Sequence, residues 1–183
     1  MATIPKVVTY QEWLEMPEIE DGIEEVVDGE IRVMPPNKST HARVVHRLTL
    51  ALAEQISGDE FEIFGSSFGL VIRQEPLTTR APDLALFRKA NMIERDGYFH
   101  SAPELIVEVL SPGNTRQERE RKLKDYETLG VTEVWVVSPE AQTVEILLLK
   151  NGRLTRERIV ADGEIQPVSF PTASVNVESI WPH

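Results

Sequence analysis

The sequence predicts an α/β fold, in which a mixed central sheet is flanked by a few helices and bordered by β-hairpins. Three observations support this class. A strand, a helix and a second strand follow one another with short links over residues 103–137, which is typical of two parallel strands joined by a crossover. The pairs Asp28-Gly29 and Asn151-Gly152 each separate two β-prone runs and indicate hairpins. Apolar residues recur at helical spacing over residues 39–57.

Length and composition narrow the class of protein. The 183 residues fit one medium-sized domain, so we expect residues 1–183 to form a single domain. The absence of cysteine excludes a disulfide framework and a thiolate metal site. No stretch is apolar enough for a signal peptide or a bilayer span, so we expect a cytoplasmic protein without a membrane partner. The net charge of −11 opposes nucleic-acid binding, because phosphate contacts come from lysine and arginine.

The N-terminal half is predicted to contain two helices, a hairpin and three strands. Thr9-Tyr10-Gln11-Glu12 has the spacing of a capping box and should begin a short helix that ends near Met16. A hairpin over residues 23–34 follows, and Ser39 should cap a longer helix to about Ser57. Strands are then predicted over three short runs, 61–64, 67–73 and 83–87. Residues 91–100 are polar and are predicted to be a loop with some helix.

The C-terminal half is predicted to begin with the strand PELIVEVLSP, residues 103–112. Thr115-Arg116-Gln117-Glu118 is another capping box and Gly130 suits the position after a helix end, so a helix should cover 116–129. Further strands are expected at three runs, 133–137, 144–149 and 154–160, the last two forming a hairpin. The pattern after Asp162 is weak.

One carboxylate stands inside the strand PELIVEVLSP. Alternate residues of a strand share a face, which places Glu108 between Ile106 and Leu110. Burying an ionised carboxylate without a partner costs several kcal/mol or more, so a cation, a metal ion or hydrogen-bond donors must meet it. The alternatives for a single Glu are a partly open sheet face and a structural ion pair.

A second carboxylate begins a neighbouring apolar strand. Pro82 cannot donate to a sheet ladder and suits a strand entrance, and Asp83 follows it. Taken alone, Asp83 fits a turn residue equally well. Two carboxylates on neighbouring strand ends would form an oxygen-rich site suited to Mg²⁺ or Mn²⁺.

The helix after Glu108 should direct a cation at the sheet. Lys122 precedes Tyr126 by four residues and therefore lies within the apolar stripe of the helix. Arg119 falls close to the same side, whereas Arg121 and Lys124 are predicted to face away. The alternative is that the stem of Lys122 covers apolar surface while its ammonium group reaches water.

These carboxylates and this lysine resemble the PD-(D/E)XK nuclease superfamily. Pro82-Asp83 supplies the first part of the motif and Glu108-Val109-Leu110 the second. The lysine of the superfamily would fall at position 110, where this chain has leucine. In a known variation the lysine migrates to the following helix, and Lys122 is well placed for that role.

An ordered set of motifs over about residues 10–160 is similar to one restriction-endonuclease-like family, abundant in cyanobacteria and long catalogued as a domain of unknown function. The motifs are EEVVDGEI (24–31), His41, APDLA (81–85), PELIVEVLSP (103–112), Lys122, Tyr126 and GVTEVWVV (130–137). The resemblance implies a restriction-endonuclease-like core, a mixed sheet flanked by helices.

The resemblance also implies an activity, Mg²⁺-dependent hydrolysis of DNA phosphodiester bonds. Asp83, Glu108 and the backbone carbonyl of Val109 would hold Mg²⁺ or Mn²⁺. Lys122 would orient the attacking water and offset charge on the phosphate. Glu25 matches an acidic residue often found upstream in the superfamily, where it would hold a metal-bound water or pair with Lys122. An ordinary hairpin residue is the alternative for Glu25.

Four further residues are candidates for the site. Arg116 and Arg119 would contact DNA phosphates, although Arg119 pairing with an acid is an alternative. His41 and Tyr126 belong to the family motifs, but a helix-surface histidine and a core tyrosine are the simpler interpretations.

Three functions remain open at this stage. The chain is an active DNA endonuclease, a catalytically silent binding or assembly module of the same fold, or an enzyme or sensor for a small phosphorylated ligand. Basic residues between Arg116 and Lys124 partly offset the net negative charge. We expect a homodimer or higher homo-oligomer, because closed symmetric assemblies are common and DNA-cleaving members of the superfamily often need two active sites.

Overall fold

The computed structural model describes residues 7–17, 19, 22–66 and 68–182. The helices of this part of the chain are α1 (Tyr10–Leu14), α2 (Ser39–Ala53) and α3 (Arg116–Leu129), with 3₁₀ turns at Lys89–Asn91 and Val177–Ile180. Its strands are β1 (Ile23–Val27), β2 (Glu30–Met34), β3 (Phe61–Gly65), β4 (Leu70–Gln74), β5 (Leu77–Arg80), β6 (Leu84–Arg88), β7 (Glu94–Arg95), β8 (Tyr98–Phe99), β9 (Leu105–Val109), β10 (Glu133–Ser138), β11 (Thr143–Lys150), β12 (Arg153–Val160), β13 (Glu164–Ile165) and β14 (Val175–Asn176).

A six-stranded mixed sheet forms the centre of the fold, with the strand order β12-β11-β10-β9-β6-β3. Strands β9 and β10 run parallel and are connected by α3, which confirms the predicted crossover. The other neighbouring pairs of this sheet are antiparallel. The predicted α/β class with a mixed sheet, flanking helices and edge hairpins is therefore confirmed.

The two faces of the central sheet carry different helices. On β9, Leu105, Val107 and Val109 are buried in one core with residues of α2. Ile106 lies on the other face in a second core with Tyr126 of α3. Fully burying an aliphatic side chain of this size contributes about 1.5–3 kcal/mol, so α2, which buries Val44, Val45, Leu48 and Leu52, is held mainly by its apolar face. The buried residues of α3 are instead Asp125 and Tyr126. The alternation predicted for the strand around Glu108 is confirmed.

The β1–β2 hairpin turns at Asp28 and Gly29, whose φ angles of 52° and 80° suit a two-residue hairpin turn. The hairpin packs on β5 rather than on the central sheet. The Val26 N–H donates to Thr79 Oγ1 at 2.8 Å, and the Gly29 N–H donates to the Leu77 carbonyl at 2.7 Å. This attachment carries Glu25, in the middle of β1, towards the end of β9.

The two capping boxes are present as predicted. The Thr9 side chain accepts from the Glu12 N–H, although α1 ends at Leu14, two residues before the predicted Met16. Helix α3 covers the predicted residues 116–129, begins with the Thr115 box and ends at Gly130 with φ 91°.

The predicted cap of α2 is wrong. Lys38 occupies the N-cap position without a side-chain hydrogen bond, and Ser39 is the first helical residue. The helix ends at Ala53 rather than Ser57, because the following residues form turns, with Gln55 N–H donating to the Leu52 carbonyl at 3.1 Å.

Most other differences between the predicted and the observed elements concern short strands. Strand β5 was not predicted, because its sequence LTTR is polar, yet all four residues are buried. Residues 91–100 form the small hairpin β7–β8, whose Asp96-Gly97 turn carries the same signal as the one at Asp28-Gly29. Strand β4 covers 70–74 instead of 67–73, and position 67 lies outside the described residues.

The C-terminal segment after Asp162 is more ordered than its weak pattern suggests. Strands β13 and β14 pair with each other, and Ile165, Val175 and Ile180 are fully or almost fully buried against the α2 side of the core. None of the helices in the described ranges is long and apolar enough to cross a membrane.

Candidate active site

Asp83 and Glu108 lie beside each other at the junction of β6 and β9. Leu84 pairs with Val107 in the antiparallel register, so Asp83 stands opposite Glu108 one position further along. The Val109 N–H donates to Asp83 Oδ2 at 2.7 Å. Asp83 and Glu108 line one cavity of about 390 Å³, together with Val109 and Lys122. The two carboxylates predicted from separate strands are thus brought together.

Lys122 extends from α3 to the Glu108 carboxylate. Its Nζ lies 3.1 Å from Glu108 Oε2 and 3.3 Å from Oε1, and 3.1 Å from Glu25 Oε1. Tyr126, one turn later on the same helix, donates its hydroxyl hydrogen to Glu108 Oε1. Leu110 is apolar and packs against the neighbouring core. The cation therefore reaches Glu108 from the helix, as its place on the apolar stripe predicts.

Arg80 forms a buried ion-pair network behind Lys122. It donates from Nη1 to Glu25 Oε2 at 2.6 Å, and from Nε and Nη2 to Asp125 Oδ2 at 2.9 and 2.6 Å. The Ala81 N–H adds a bond of 3.2 Å to Glu25 Oε1. Side chains of Arg80, Glu25 and Asp125 are all less than a tenth exposed. These contacts fix Glu25, which in turn holds the Lys122 ammonium.

The charges of this cluster perturb one another. Burial raises the pKa of the Glu108 carboxyl, and Asp83 and Glu25 raise it further against the opposing effect of Lys122. Burial also favours the neutral form of Glu25, but Lys122 and Arg80 outweigh it and hold the pKa of Glu25 below its usual range. Burial opposes charging of Lys122, yet Glu108, Glu25 and Asp83 raise its pKa, so the side chain is an ammonium ion.

Residues 10–178 match the family Uma2, whose description is "Putative restriction endonuclease". The chain belongs to this family. A solved structure from Anabaena variabilis ATCC 29413, described as "a putative nuclease belonging to DUF820", has the same fold with a TM-score of 0.77. It is 17% identical, and the match covers 95% of this chain and 97% of that one. No curated protein matches the chain. The restriction-endonuclease-like core is therefore established for this Uma2 protein.

Restriction-endonuclease-like families typically use divalent metal ions, and the residues of this Uma2 site fit such an ion. Four carboxylates, those of Glu25, Asp83, Glu108 and Asp125, face three cations, Lys122, the buried Arg80 and the partly exposed Arg73, whose Nη1 lies 3.7 Å from Asp125 Oδ1. The described residues contain no ready-made group of three or more His, Asp or Glu ligands. A site with few protein ligands is compatible with Mg²⁺, because this ion usually keeps several waters and binds only one or two carboxylates.

His41 is not on the helix surface, so that interpretation is wrong. Its side chain is buried, and Nε2 lies 3.1 Å from Asp83 Oδ2. Its Nδ1 is buried without a hydrogen-bond partner among the residues that the structure describes. His41 therefore supports Asp83 from the α2 side of the sheet, opposite Lys122 on α3.

The predicted basic residues of α3 have separate environments. Arg116 is 86% exposed, pairs with Glu120 at 2.7 Å, and is not among the residues that line the cavity of the carboxylates. Arg119 pairs with Glu145 at 3.4 Å, which is the alternative stated for it. Arg121 does not face away as predicted, because its guanidinium contacts Asp28 of the hairpin.

Two important residues were missed by sequence reasoning, Arg80 and Asp125. The signal for Asp125 was available, because it follows Lys122 by three residues and so lies on the same side of the helix. Arg80 precedes Ala-Pro-Asp directly, but it belongs to the unpredicted strand β5, and nothing in the sequence links it to Glu25. Tyr126 is fully buried in the core, which confirms the simpler interpretation, and its hydroxyl also donates to Glu108.

We expect Arg80→Gln to lower the free energy of unfolding by about 3–5 kcal/mol, because it leaves Glu25 and Asp125 buried without their main cation. Urea denaturation measures this. Arg116→Gln is the matched control and should change stability by less than about 0.5 kcal/mol, since its pair with Glu120 is exposed. Equal effects of the two substitutions would contradict the network described here.

We expect Glu108→Gln to stabilise the metal-free protein at neutral pH. The raised pKa of Glu108 means that the folded state binds its proton more tightly than the unfolded state, so ionisation reduces stability as pH rises above the usual carboxyl range. The variant should therefore match wild type near pH 4 and exceed it at pH 7. Urea denaturation in EDTA at both pH values tests this. The prediction is contradicted if the stability of the variant relative to wild type is lower at pH 7 than at pH 4.

Proposed function

We propose that this Uma2 protein is a Mg²⁺- or Mn²⁺-dependent endonuclease that hydrolyses DNA phosphodiester bonds. The observation that carries the proposal is the contact of the Lys122 ammonium with Glu108, directly across from Asp83. A structural ion pair alone would not need a second carboxylate facing the same cavity. Asp83, Glu108 and the carbonyl of Val109 would hold the metal ion.

The protein groups around the ion have separate tasks. A bound divalent ion supplies polarisation of the scissile phosphate and lowers the pKa of the attacking water. Lys122 is charged, so it orients the water and offsets negative charge on the phosphate, rather than taking a proton. Glu25 and Tyr126 hold Lys122 and Glu108 in position. The attacking water loses a proton to solvent as its oxygen bonds to phosphorus, the bridging P–O bond to the leaving group breaks, and the leaving oxygen takes a proton from solvent.

Plasmid nicking in Mg²⁺, Mn²⁺ or EDTA tests the activity. We expect metal-dependent cleavage that is abolished in Asp83→Asn and Glu108→Gln, because each removes a charged ligand while preserving side-chain volume. Loss of activity in these variants excludes a contaminating nuclease. Wild type and variants that are equally inert on varied DNA would instead indicate a non-catalytic module of this fold.

Lys122→Met should reduce turnover by about 10²–10³-fold, the usual effect of removing one preorganised charge stabiliser. The control is Lys124→Met on the same helix, whose side chain is exposed, and it should leave turnover nearly unchanged. Single-turnover cleavage of an oligonucleotide provides the rates. Similar rates for the two variants would overturn the assignment of Lys122.

Metal binding is testable without any nuclease activity. Mg²⁺ at 100 times its Kd should stabilise the wild type by about 2.7 kcal/mol, because only the folded state offers the site. Glu108→Gln should gain much less, whereas Glu120→Gln, an exposed carboxylate on α3, should gain as much as wild type. Thermal melting with and without the ion measures these shifts, and equal shifts in all three proteins would exclude Glu108 as a ligand.

A further inference from the structure

A second cavity of about 270 Å³ adjoins the carboxylates, between the β1–β2 hairpin and α3. Its apolar lining residues are Val33, Met34, Leu110, Leu123 and Val136. The size is near the lower end of pockets that bind small organic ligands. The roles proposed for Glu25, Glu108 and Lys122, which also line this cavity, do not use its apolar space, so that space is open to a further part of the substrate.

Four arginines line the same cavity: Arg32, Arg80, Arg119 and Arg121. The Nε of Arg119 is buried without a hydrogen-bond partner among the described residues. A guanidinium plane can stack on an aromatic ring and donate in-plane hydrogen bonds. An apolar wall with such donors matches a flat, heteroaromatic, negatively linked group better than an aliphatic one.

The two cavities join at the candidate active site. Glu108 and Lys122 line both of them, as do Met34, Asn114 and Glu118. If a DNA phosphate lay at Glu108 and Lys122, one adjacent nucleotide would lie in the smaller cavity. The rest of the DNA strand would continue through the larger cavity. This arrangement suits a strand better than a free mononucleotide.

We infer that the smaller cavity holds one unpaired nucleobase next to the scissile phosphate, so that the substrate is single-stranded or locally unpaired DNA. The inference rests on the proposed nuclease function and specifies its substrate. A base inside a duplex cannot enter a side pocket unless it is flipped out of the stack. Base burial also supplies affinity that does not depend on positive charge, which suits a chain with a net charge of −11.

Cleavage of strands with a single abasic residue tests the inference. A series of single-stranded oligonucleotides carries the abasic residue at successive positions. At each position, cleavage at one adjacent phosphate should fall at least tenfold, whereas cleavage at distant phosphates should be unchanged. Fully paired duplex should be cleaved more slowly than the single strand. Equal cleavage beside intact and abasic residues would overturn the inference while leaving the nuclease function intact.

Filling the cavity should have the same effect as removing the base. Leu123→Phe, or Met34→Phe if the first variant folds poorly, should reduce cleavage of the intact strand to the abasic level. Leu129→Phe is the matched control, because it is also partly buried on α3 but does not line the cavity, and it should behave like wild type. Circular dichroism confirms that each variant is folded.

A binding measurement separates this inference from the activity. In Ca²⁺, a single-stranded oligonucleotide with 2-aminopurine should change fluorescence on binding, and the change should be lost in Leu123→Phe and kept in Leu129→Phe. If no DNA is cleaved, this signal still decides the inference, and the nuclease function alone fails. The inference would be overturned if the fluorescence of the oligonucleotide did not change on binding to wild type. It would also be overturned if a deoxynucleoside monophosphate competed as effectively as an unlabelled strand.

Discussion

An ionisable carboxylate in the interior part of a strand must be compensated, and Glu108 imposes this requirement on the fold. Its strand, β9, lies near the middle of the six-stranded sheet between β6 and β10. Lys122 and Tyr126 contact it from α3, and Asp83 lies opposite it, directly before β6. Removing a partner from such a group costs several kcal/mol, so the position and rotation of α3 are tied to this one side chain.

The ion pairs that compensate the charge of Glu108 extend beyond its direct contacts with Lys122 and Tyr126. Lys122 alone cannot neutralise both Glu108 and Glu25, so Glu25 also pairs with Arg80, which pairs with Asp125 as well. Through this chain of ion pairs, the β1–β2 hairpin, strand β5 and helix α3 all converge on the end of β9. The hairpin is held on β5 by backbone and threonine hydrogen bonds, which keep Glu25 at the required depth. A surplus of buried negative charge remains, and it is the physical reason that a divalent cation suits the site.

The same convergence shapes the surroundings of the site. Hairpin and helix leave an apolar space between them, whose lining includes Met34 and Leu123 as well as Glu108 and Lys122. The chain is strongly acidic overall, yet arginines concentrate along this opening. Local charge and apolar area, rather than net charge, therefore determine what the cleft can bind.

Local signals in the sequence determined much of this protein. The capping box at Thr115 and the glycine at 130 set the ends of α3, and the Asp28-Gly29 pair set the hairpin turn, because backbone conformation at these points depends on one or two residues. Helical spacing placed Lys122 on the inner side of α3, and strand alternation placed Glu108 on the matching face. Tertiary structure alone decided the pairing of Glu25 with Arg80, the burial of His41 against Asp83, and the place of strand β5 beside the site. These depend on pairings between residues 42 to 55 positions apart, which no local pattern encodes. The polar sequence LTTR would suggest an exposed segment, but it forms a buried strand whose one charge, that of Arg80, is paired with Glu25 and Asp125.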